Sequence, residues 1–168
     1  RMRKGAVISS VNGLYMNGYR STDVAMQVQF STKKFTTVRF TAALVAKNAA
    51  NVNWKVLYST DGTVYNPVIN NGEELVYKLS NGLATSVDFE LPAEEVAEKE
   101  MVYIRFTGTG DELLNDNNGE YNFDKVDSGS GLNYTDHSET GLGNIYVFGT
   151  PIIDEDPDAP VIKAIIPA

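Results

Sequence analysis

Regular alternation of apolar residues between Val38 and Tyr58 constrains the fold of this chain more than any other feature. Every second residue from Val38 to Ala46 is apolar, and the same spacing returns at Trp54, Val56 and Tyr58. This is the period of a β-strand, whose successive side chains point to opposite faces. The turn sequence 59–62 ends in Asp-Gly, a pair that readily adopts positive φ and reverses a strand. We therefore predict a hairpin of two strands and, from the phase of Trp54, that its indole packs in the core.

Similar alternation recurs along most of the chain, between Asn-Gly pairs, prolines and polar breaks. About eight or nine such segments indicate an all-β protein. At most one short helix is predicted, in the Glu-rich segment 93–101. Segment 64–69 contains Pro67, which cannot donate to a sheet and therefore predicts an edge strand. We predict an antiparallel β-sandwich of the jelly-roll type, with an immunoglobulin-like sandwich as the main alternative.

Composition excludes several classes of protein. The chain has 168 residues, of which 42% are hydrophobic, enough for one well-filled core. It carries 22 acidic and 14 basic residues, so its net charge of −8 argues against nucleic acid as a partner. The absence of cysteine excludes disulfides, thiolate metal sites and a cysteine nucleophile. No apolar run reaches the ~20 residues of a membrane span.

Two regions are expected along the chain. Residues 1–150 are predicted to form one sandwich module. Residues 151–168 are acidic and contain proline, so they are predicted to be a linker or the start of a following module. The N-terminal residues lack the apolar region and cleavage site of a signal peptide, which suggests an excised mature segment.

Four short motifs occur in an order that resembles a family of secreted β-sandwich modules of anaerobic gut bacteria. They are FSTK at 30–33, YSTDG at 58–62, FELP at 89–92 and VYIRF at 102–106, followed by a terminal strand at 144–149. The resemblance covers residues 24–150. It implies a galactose-binding-like (discoidin-like) jelly roll at the bacterial cell surface, beside enzymes or lipoprotein anchors. A surface rich in Asn, Thr, Ser, Gly and Tyr agrees with this extracellular location. The chain departs from the family at Tyr65, near which these modules often carry tryptophan.

The polar segment 111–143 lacks alternation, and polar segments of this length are usually functional or mobile. Its carboxylates and amides supply the hard oxygen ligands that calcium prefers. The spacing does not match an EF-hand, because Lys125 stands at the twelfth loop position. The resemblance implies a nonstandard structural calcium site as one interpretation, and a hydrated segment is the alternative. The candidate ligands are Asp111, Asp116, Asn118 and Asp124.

Aromatic and polar residues in predicted loops have the chemistry of a sugar site, since rings stack on sugar faces and polar groups bind hydroxyls. The candidate ligand-binding residues are Tyr15, Tyr19, Arg105, Tyr121, Asn122, Tyr134 and Asp136. Arg105 alternates with Ile104 and Phe106, so we expect it to face outward. It would then be either the cross-strand partner of a carboxylate or a clamp on a ligand.

Little in the sequence indicates catalysis. His137 is the only histidine, and no G-x-S-x-G motif precedes it. We therefore predict a noncatalytic extracellular module that binds a glycan or serves a neighbouring domain of the same polypeptide. The main alternative is a structural or adhesive cell-surface domain that contacts a partner protein and binds no small ligand. A weaker alternative is a hydrolase that uses two carboxylates.

Overall fold

The alternating segments of the sequence form twelve β-strands in the part of the chain that the structure describes. The computed structural model describes residues 2–4, 11, 13–17, 25–47, 50–114 and 139–153. Its elements are β1 (Met2–Lys4), β2 (Gly13–Asn17), β3 (Ala25–Phe30), β4 (Arg39–Lys47), β5 (Asn51–Ser59), β6 (Asn66–Pro67), β7 (Ile69–Asn70), β8 (Glu73–Glu74), β9 (Val76–Lys78), β10 (Ala84–Glu90), α1 (Ala93–Val96), β11 (Val102–Leu113) and β12 (Glu139–Phe148). All pairs between these strands are antiparallel. The predicted all-β antiparallel class is confirmed.

Two five-stranded sheets enclose the core. Sheet I has the strand order β1-β2-β12-β4-β10, and sheet II has the order β3-β11-β5-β6 with β9 also paired to β5. Phe40 and Phe89 of sheet I stack with ring centroids 5.3 Å apart, and Phe106 of sheet II lies 5.9 Å from Phe40. Side chains from both inner faces therefore interdigitate, as expected of a β-sandwich. The jelly-roll connection of these strands stays a prediction.

Trp54 packs in the core as its phase predicted. It is 3% exposed, and its indole Nε1–H donates to the backbone carbonyl of Asn51 at 2.9 Å. A buried indole needs a partner for its single donor, and this bond supplies one. Trp54 is therefore part of the scaffold.

The prediction that Val38–Gly62 forms one hairpin is wrong. β4 pairs with β10 and β12 in sheet I, whereas β5 pairs with β11, β6 and β9 in sheet II. Alternation determines which face of a strand is apolar, but not the sheet that the strand joins. Since β4 and β5 lie in opposite sheets, their apolar faces meet across the core.

The Asp-Gly turn instead connects β5 to β6. Gly62 has a φ of 75°, a conformation that glycine adopts without steric cost. Asp61 Oδ1 accepts backbone N–H bonds from Thr63 at 2.7 Å and from Val64 at 2.9 Å. β6 lies at the edge of sheet II, so the edge position predicted from Pro67 is confirmed.

Several boundaries differ from the sequence prediction. β11 continues past Gly108 to Leu113, and β12 already begins at Glu139, so the segment between them is shorter than 111–143. The predicted helix stops after one turn, because Ala97 is extended and Glu98 has a φ of 55°. The strand predicted at 6–9 lies outside the described residues. None of the helices in the described part of the chain has the length and hydrophobicity that a membrane crossing requires.

The chain after β12 stays attached to the sandwich as far as the structure describes it. Thr36 N–H donates to the carbonyl of Thr150 at 2.9 Å, and Ile152 N–H donates to the carbonyl of Lys34 at 2.8 Å. Residues 154–168 lie outside the described residues. The division into a module at 1–150 and a linker at 151–168 stays a prediction.

Candidate functional site

A bulge in β12 determines where two of its aromatic side chains point. Leu142 faces the core, and strict alternation from Leu142 would turn Tyr146 and Phe148 inward as well. Instead, the register against β4 shifts after Gly143. Gly143 pairs with Ala43 and Tyr146 pairs with Thr41, so a step of three residues along β12 matches a step of two along β4. Asn144, within the shift, has a φ of 50°. Because a bulge of this kind re-aims the side chains that follow it, Tyr146 and Phe148 lie on the outer face of sheet I.

Tyr146 borders a groove of about 390 Å³ on that outer face, which we call the Tyr146 groove. The groove crosses three neighbouring strands, β12, β4 and β10. Its floor contains the small side chains of Ala43 and Ala84, so no bulky side chain fills the space beside the ring. Ser86 and Asp88 supply polar groups from β10, and Asn144 supplies one from the bulge.

Asp88 is the charged group of this groove, and an arginine fixes its orientation. Arg39 donates from Nε to Oδ1 at 2.8 Å and from Nη2 to Oδ2 at 2.5 Å. This two-pronged bond holds the pKa of Asp88 below its ordinary value, so the carboxylate stays ionised. A carboxylate has about four lone-pair positions, so Asp88 still accepts bonds from a ligand.

The aromatic residues of β12 are unusually exposed for rings of this size. Tyr146 is 61% and Phe148 is 53% exposed, and the two rings stack at 6.4 Å and 26°. Phe148 also borders a smaller cavity of about 180 Å³ together with Phe35 and Val147. Aromatic rings that stay exposed to water lack the stabilisation that burial usually gives such large apolar side chains. Such exposed apolar surface typically marks a binding site.

Arg105 is the one predicted ligand residue whose side chain the structure describes. It faces outward from β11 between the buried Ile104 and Phe106, which confirms the orientation predicted from alternation. Its described partners are the amide of Gln27 and the ring of Tyr65, not a carboxylate. It lies in sheet II, so the structure does not bring it together with the Tyr146 groove of sheet I.

For two of the remaining predicted site residues the structure describes only the backbone, and the others lie outside the described residues. Tyr15 belongs to β2, where its backbone pairs with Gly141 of β12. Asp111 belongs to β11 instead of to a loop. The others, all outside the described residues, are Tyr19, Asp116, Asn118, Tyr121, Asn122, Asp124, Tyr134 and Asp136. Within the described ranges, no three or more acidic or histidine side chains are grouped to hold a metal.

Sequence reasoning missed Tyr146, Ser86 and Asp88 as site residues. Tyr146 lies in a run that is apolar on both faces, from Ile145 to Phe148, and this pattern predicts only a final strand. A signal was available, because Gly143-Asn144 inside a strand pattern often marks a bulge. No local pattern places Asp88 beside that bulge, since the two strands meet only through β4.

The Tyr146 groove combines a ring face, an oriented carboxylate and small polar groups around an open floor. A ring face binds apolar C–H surface, and the carboxylate accepts hydrogen bonds from hydroxyl groups. This combination suits a ligand that presents both on one small scaffold. Comparison with models of known protein families found no match to the chain, and comparison with curated protein sequences also found none.

Proposed function

We propose that this chain is a noncatalytic carbohydrate-binding module and that the Tyr146 groove holds one sugar unit of a glycan. The observation that carries this proposal is the position of Tyr146. A bulge turns its exposed ring out of the core, on the same face as the carboxylate that Arg39 orients. Neither the Tyr146 ring nor the Asp88 carboxylate contributes to the hydrophobic core. Together they offer a pyranose a stacking surface and a hydrogen-bond acceptor.

The chemistry of binding follows from these groups. The C–H face of the sugar ring stacks on Tyr146, while neighbouring hydroxyls donate to Asp88. Ser86 and Asn144 add neutral donors and acceptors at the rim. The volume of about 390 Å³ lies near the lower end of the range of small-molecule sites, about 300–1,000 Å³. It suits a single sugar unit with the rest of the glycan outside.

The wider setting is part of the same proposal. The motif order resembles secreted modules of anaerobic gut bacteria, which supports an exported, cell-surface protein with a galactose-binding-like jelly roll. In that setting the module would hold a neighbouring catalytic domain of the same polypeptide close to its glycan. The groove on sheet I gives such an accessory role a defined contact surface.

Retention on glycan-containing native gels tests the proposal, after a glycan array has selected the polysaccharide. Tyr146→Ala and Asp88→Asn should each weaken retention by about tenfold or more, since each removes one of the two kinds of contact. Val64→Ala is the matched control, because Val64 is 64% exposed and does not border the groove. If no glycan retards the protein, or if Tyr146→Ala is retained like the wild type, the proposal fails.

A further pair of variants tests the location of the site. Tyr121→Ala and Tyr134→Ala change two aromatic residues that the sequence predicts as sugar contacts. They should leave retention unchanged if the groove is the site. Loss of retention in these variants with Tyr146→Ala unaffected would move the sugar site to the segment between β11 and β12.

A structural or adhesive domain is the second candidate. The observation that favours it is that Phe35, Val147 and Phe148 are all exposed and border the same small cavity. Exposed apolar side chains of this kind also form contacts between proteins. An absence of glycan retention together with Phe148-dependent association with a surface protein would favour this alternative.

Calcium binding by the carboxylates and amides of Asp111, Asp116, Asn118 and Asp124 is also proposed. An ion that binds only the folded protein raises the midpoint of thermal unfolding. The melt should therefore shift to a lower temperature in the presence of a chelator and recover with added calcium. An unchanged melt would remove the proposal.

A further inference from the structure

The outer face of sheet II contains an arginine that the fold holds in place from two sides. The guanidinium of Arg105 lies 3.6 Å from the ring centroid of Tyr65. Gln27 Oε1 accepts a hydrogen bond from Arg105 Nε at 2.8 Å and a second from the Tyr65 hydroxyl at 3.0 Å. Ring, amide and guanidinium thus form a closed set in which each member positions the other two. The arginine loses little further freedom when it binds a ligand.

This arrangement leaves the terminal nitrogens of Arg105 without an acceptor among the described residues. Its hydrogen bond to the protein is made by Nε, so no described group accepts from Nη1 or Nη2. Arg39 on the opposite sheet differs, because Asp88 engages both its Nε and its Nη2. The outer edge of a guanidinium carries parallel N–H donors that match the two oxygens of a carboxylate.

No residue in the described ranges forms an ion pair with Arg105. Its register neighbours are Gln27 on β3 and Leu57 on β5, and the next positions on the same face include Lys55 and Tyr103. Neither Arg105 nor Lys55 forms an ion pair with any residue in the described ranges. Two cations on one face without an ion pair to a described residue are unusual in a chain that has 22 acidic against 14 basic residues.

Two described carboxylates on or beside the strands of sheet II have other partners. Asp61, in the turn after β5, accepts the N–H groups of Thr63 and Val64 and the hydroxyl of Ser59. Glu112 lies within the irregular stretch of β11, and its Oε2 accepts a bond from the Asn53 amide at 3.5 Å. Neither carboxylate supplies the cross-strand partner that was expected for Arg105.

We infer that the outer face of sheet II is a second binding site, specific for a sugar acid whose carboxylate is held by the terminal nitrogens of Arg105. Lys55 adds a second positive charge on the same face, and the exposed amides of Gln27 and Gln29 suit the hydroxyls of the ring. A sheet face without side-chain pockets suits an extended acidic glycan better than a peptide that needs such pockets. This site differs from the Tyr146 groove in sheet, charge and ligand.

An NMR titration of the full chain with an oligogalacturonate tests this inference, with a neutral galactose oligomer as the reference ligand. The acidic oligomer should shift the amide signals of β3, β5 and β11, whereas the neutral oligomer should not shift them. Arg105→Gln should lower the affinity for the acidic oligomer by about tenfold or more. Arg105→Lys should also lower it, since lysine keeps the charge but not the paired donors.

Two further variants separate recognition from folding and from general charge. Tyr65→Phe keeps the ring under Arg105 but removes its bond to Gln27, so binding should fall only a few-fold. Lys33→Gln is the charge-matched control, because Lys33 pairs with Glu100 away from this face. It should bind like the wild type.

Three outcomes would overturn the inference. The first is no binding of the acidic oligomer, and the second is equal binding by wild type and Arg105→Gln. The third is tighter binding of a sulfated neutral oligomer than of the oligogalacturonate, which would refute the assignment to a carboxylate. The effect of Tyr146→Ala on the retention of neutral glycans tests only the Tyr146 groove on sheet I. The proposed site at Arg105 and the proposed site in the groove can therefore fail independently.

Discussion

The phenol of Tyr77 binds both backbone groups of Asp88. It accepts the Asp88 N–H at 3.0 Å and donates its own proton to the Asp88 carbonyl at 3.2 Å. Asp88 lies on β10 at the edge of sheet I, whereas Tyr77 lies on β9 in sheet II. One side chain therefore satisfies edge-strand groups that would otherwise be open to another strand, and it joins the two sheets. Burial raises the pKa of Tyr77, which keeps the donor proton in place.

Replacing Tyr77 with phenylalanine should lower the free energy of unfolding by about 1–3 kcal/mol, because both backbone groups of Asp88 lose their partner. Urea unfolding measures the change, and the dependence on denaturant should stay the same. Tyr103→Phe is the matched control, since no described residue binds the Tyr103 hydroxyl. It should stay within about 0.5 kcal/mol of the wild type. Equal stability of the two variants would contradict the prediction.

Features that depend on neighbouring residues could be predicted from the sequence. The core position of Trp54 follows from strand phase, and the turn at Asp61 follows from an Asp-Gly pair. The edge position of Pro67 follows from its missing N–H. Each of these rules needs only a few consecutive residues, so the sequence contains all the information that the rule uses.

Features that depend on pairing between distant segments could not be predicted in this way. The neighbours of β4 are β10 and β12, both far along the chain, and alternation does not encode this choice. The hairpin expected between β4 and β5 failed for this reason. The Tyr146 groove was missed for the same reason, since it needs β12, β4 and β10 side by side and a bulge at Asn144.

Substitutions at Asn144 test the role of this bulge. Asn144 has a φ of 50°, which glycine adopts freely and which is a strong outlier for a β-branched residue. Asn144→Gly should therefore change stability by less than about 0.5 kcal/mol, whereas Asn144→Val should cost about 1–3 kcal/mol. Chemical unfolding of both variants measures the difference. A valine variant as stable as the glycine variant would show that the bulge does not require this conformation.

Asp61 should make stability depend on pH. Hydrogen bonds from Thr63 N–H, Val64 N–H and the Ser59 hydroxyl hold the pKa of Asp61 well below its ordinary value of 3.8. A carboxylate with a lowered pKa in the folded state stabilises the protein above its unfolded pKa. That contribution is lost as the pH falls through the folded value. The free energy of unfolding should thus fall as the pH drops below about 4.

Asp61→Asn should remove this part of the pH dependence and should already be less stable at neutral pH. Urea unfolding of both proteins between neutral pH and about pH 3 measures the effect. Glu73→Gln, an exposed carboxylate on β8, is the control and should keep the wild-type slope. If Asp61→Asn has the same slope as the wild type, the turn is not the source of the pH dependence.

Gly108 and Asn51 lie too close for any side chain at position 108. A Cβ on Gly108 would be 2.9 Å from Cγ and Oδ1 of Asn51. Asn51 is buried and its Nδ2 donates to the carbonyl of Gly110 at 3.1 Å, while its own carbonyl accepts the Trp54 indole. Gly108→Ala should push the Asn51 amide off its partner, which should cost about 1–3 kcal/mol.

A double-mutant cycle distinguishes this contact from a general effect of changing Gly108. Asn51→Ala removes the amide, so the Cβ at position 108 then has nothing to displace. Gly108→Ala should therefore cost little in the Asn51→Ala background, with a coupling energy of at least about 0.5 kcal/mol. Fluorescence of Trp54, the only tryptophan, reports the unfolding of each variant. Additive costs would mean that Gly108 is required for a reason other than its contact with Asn51.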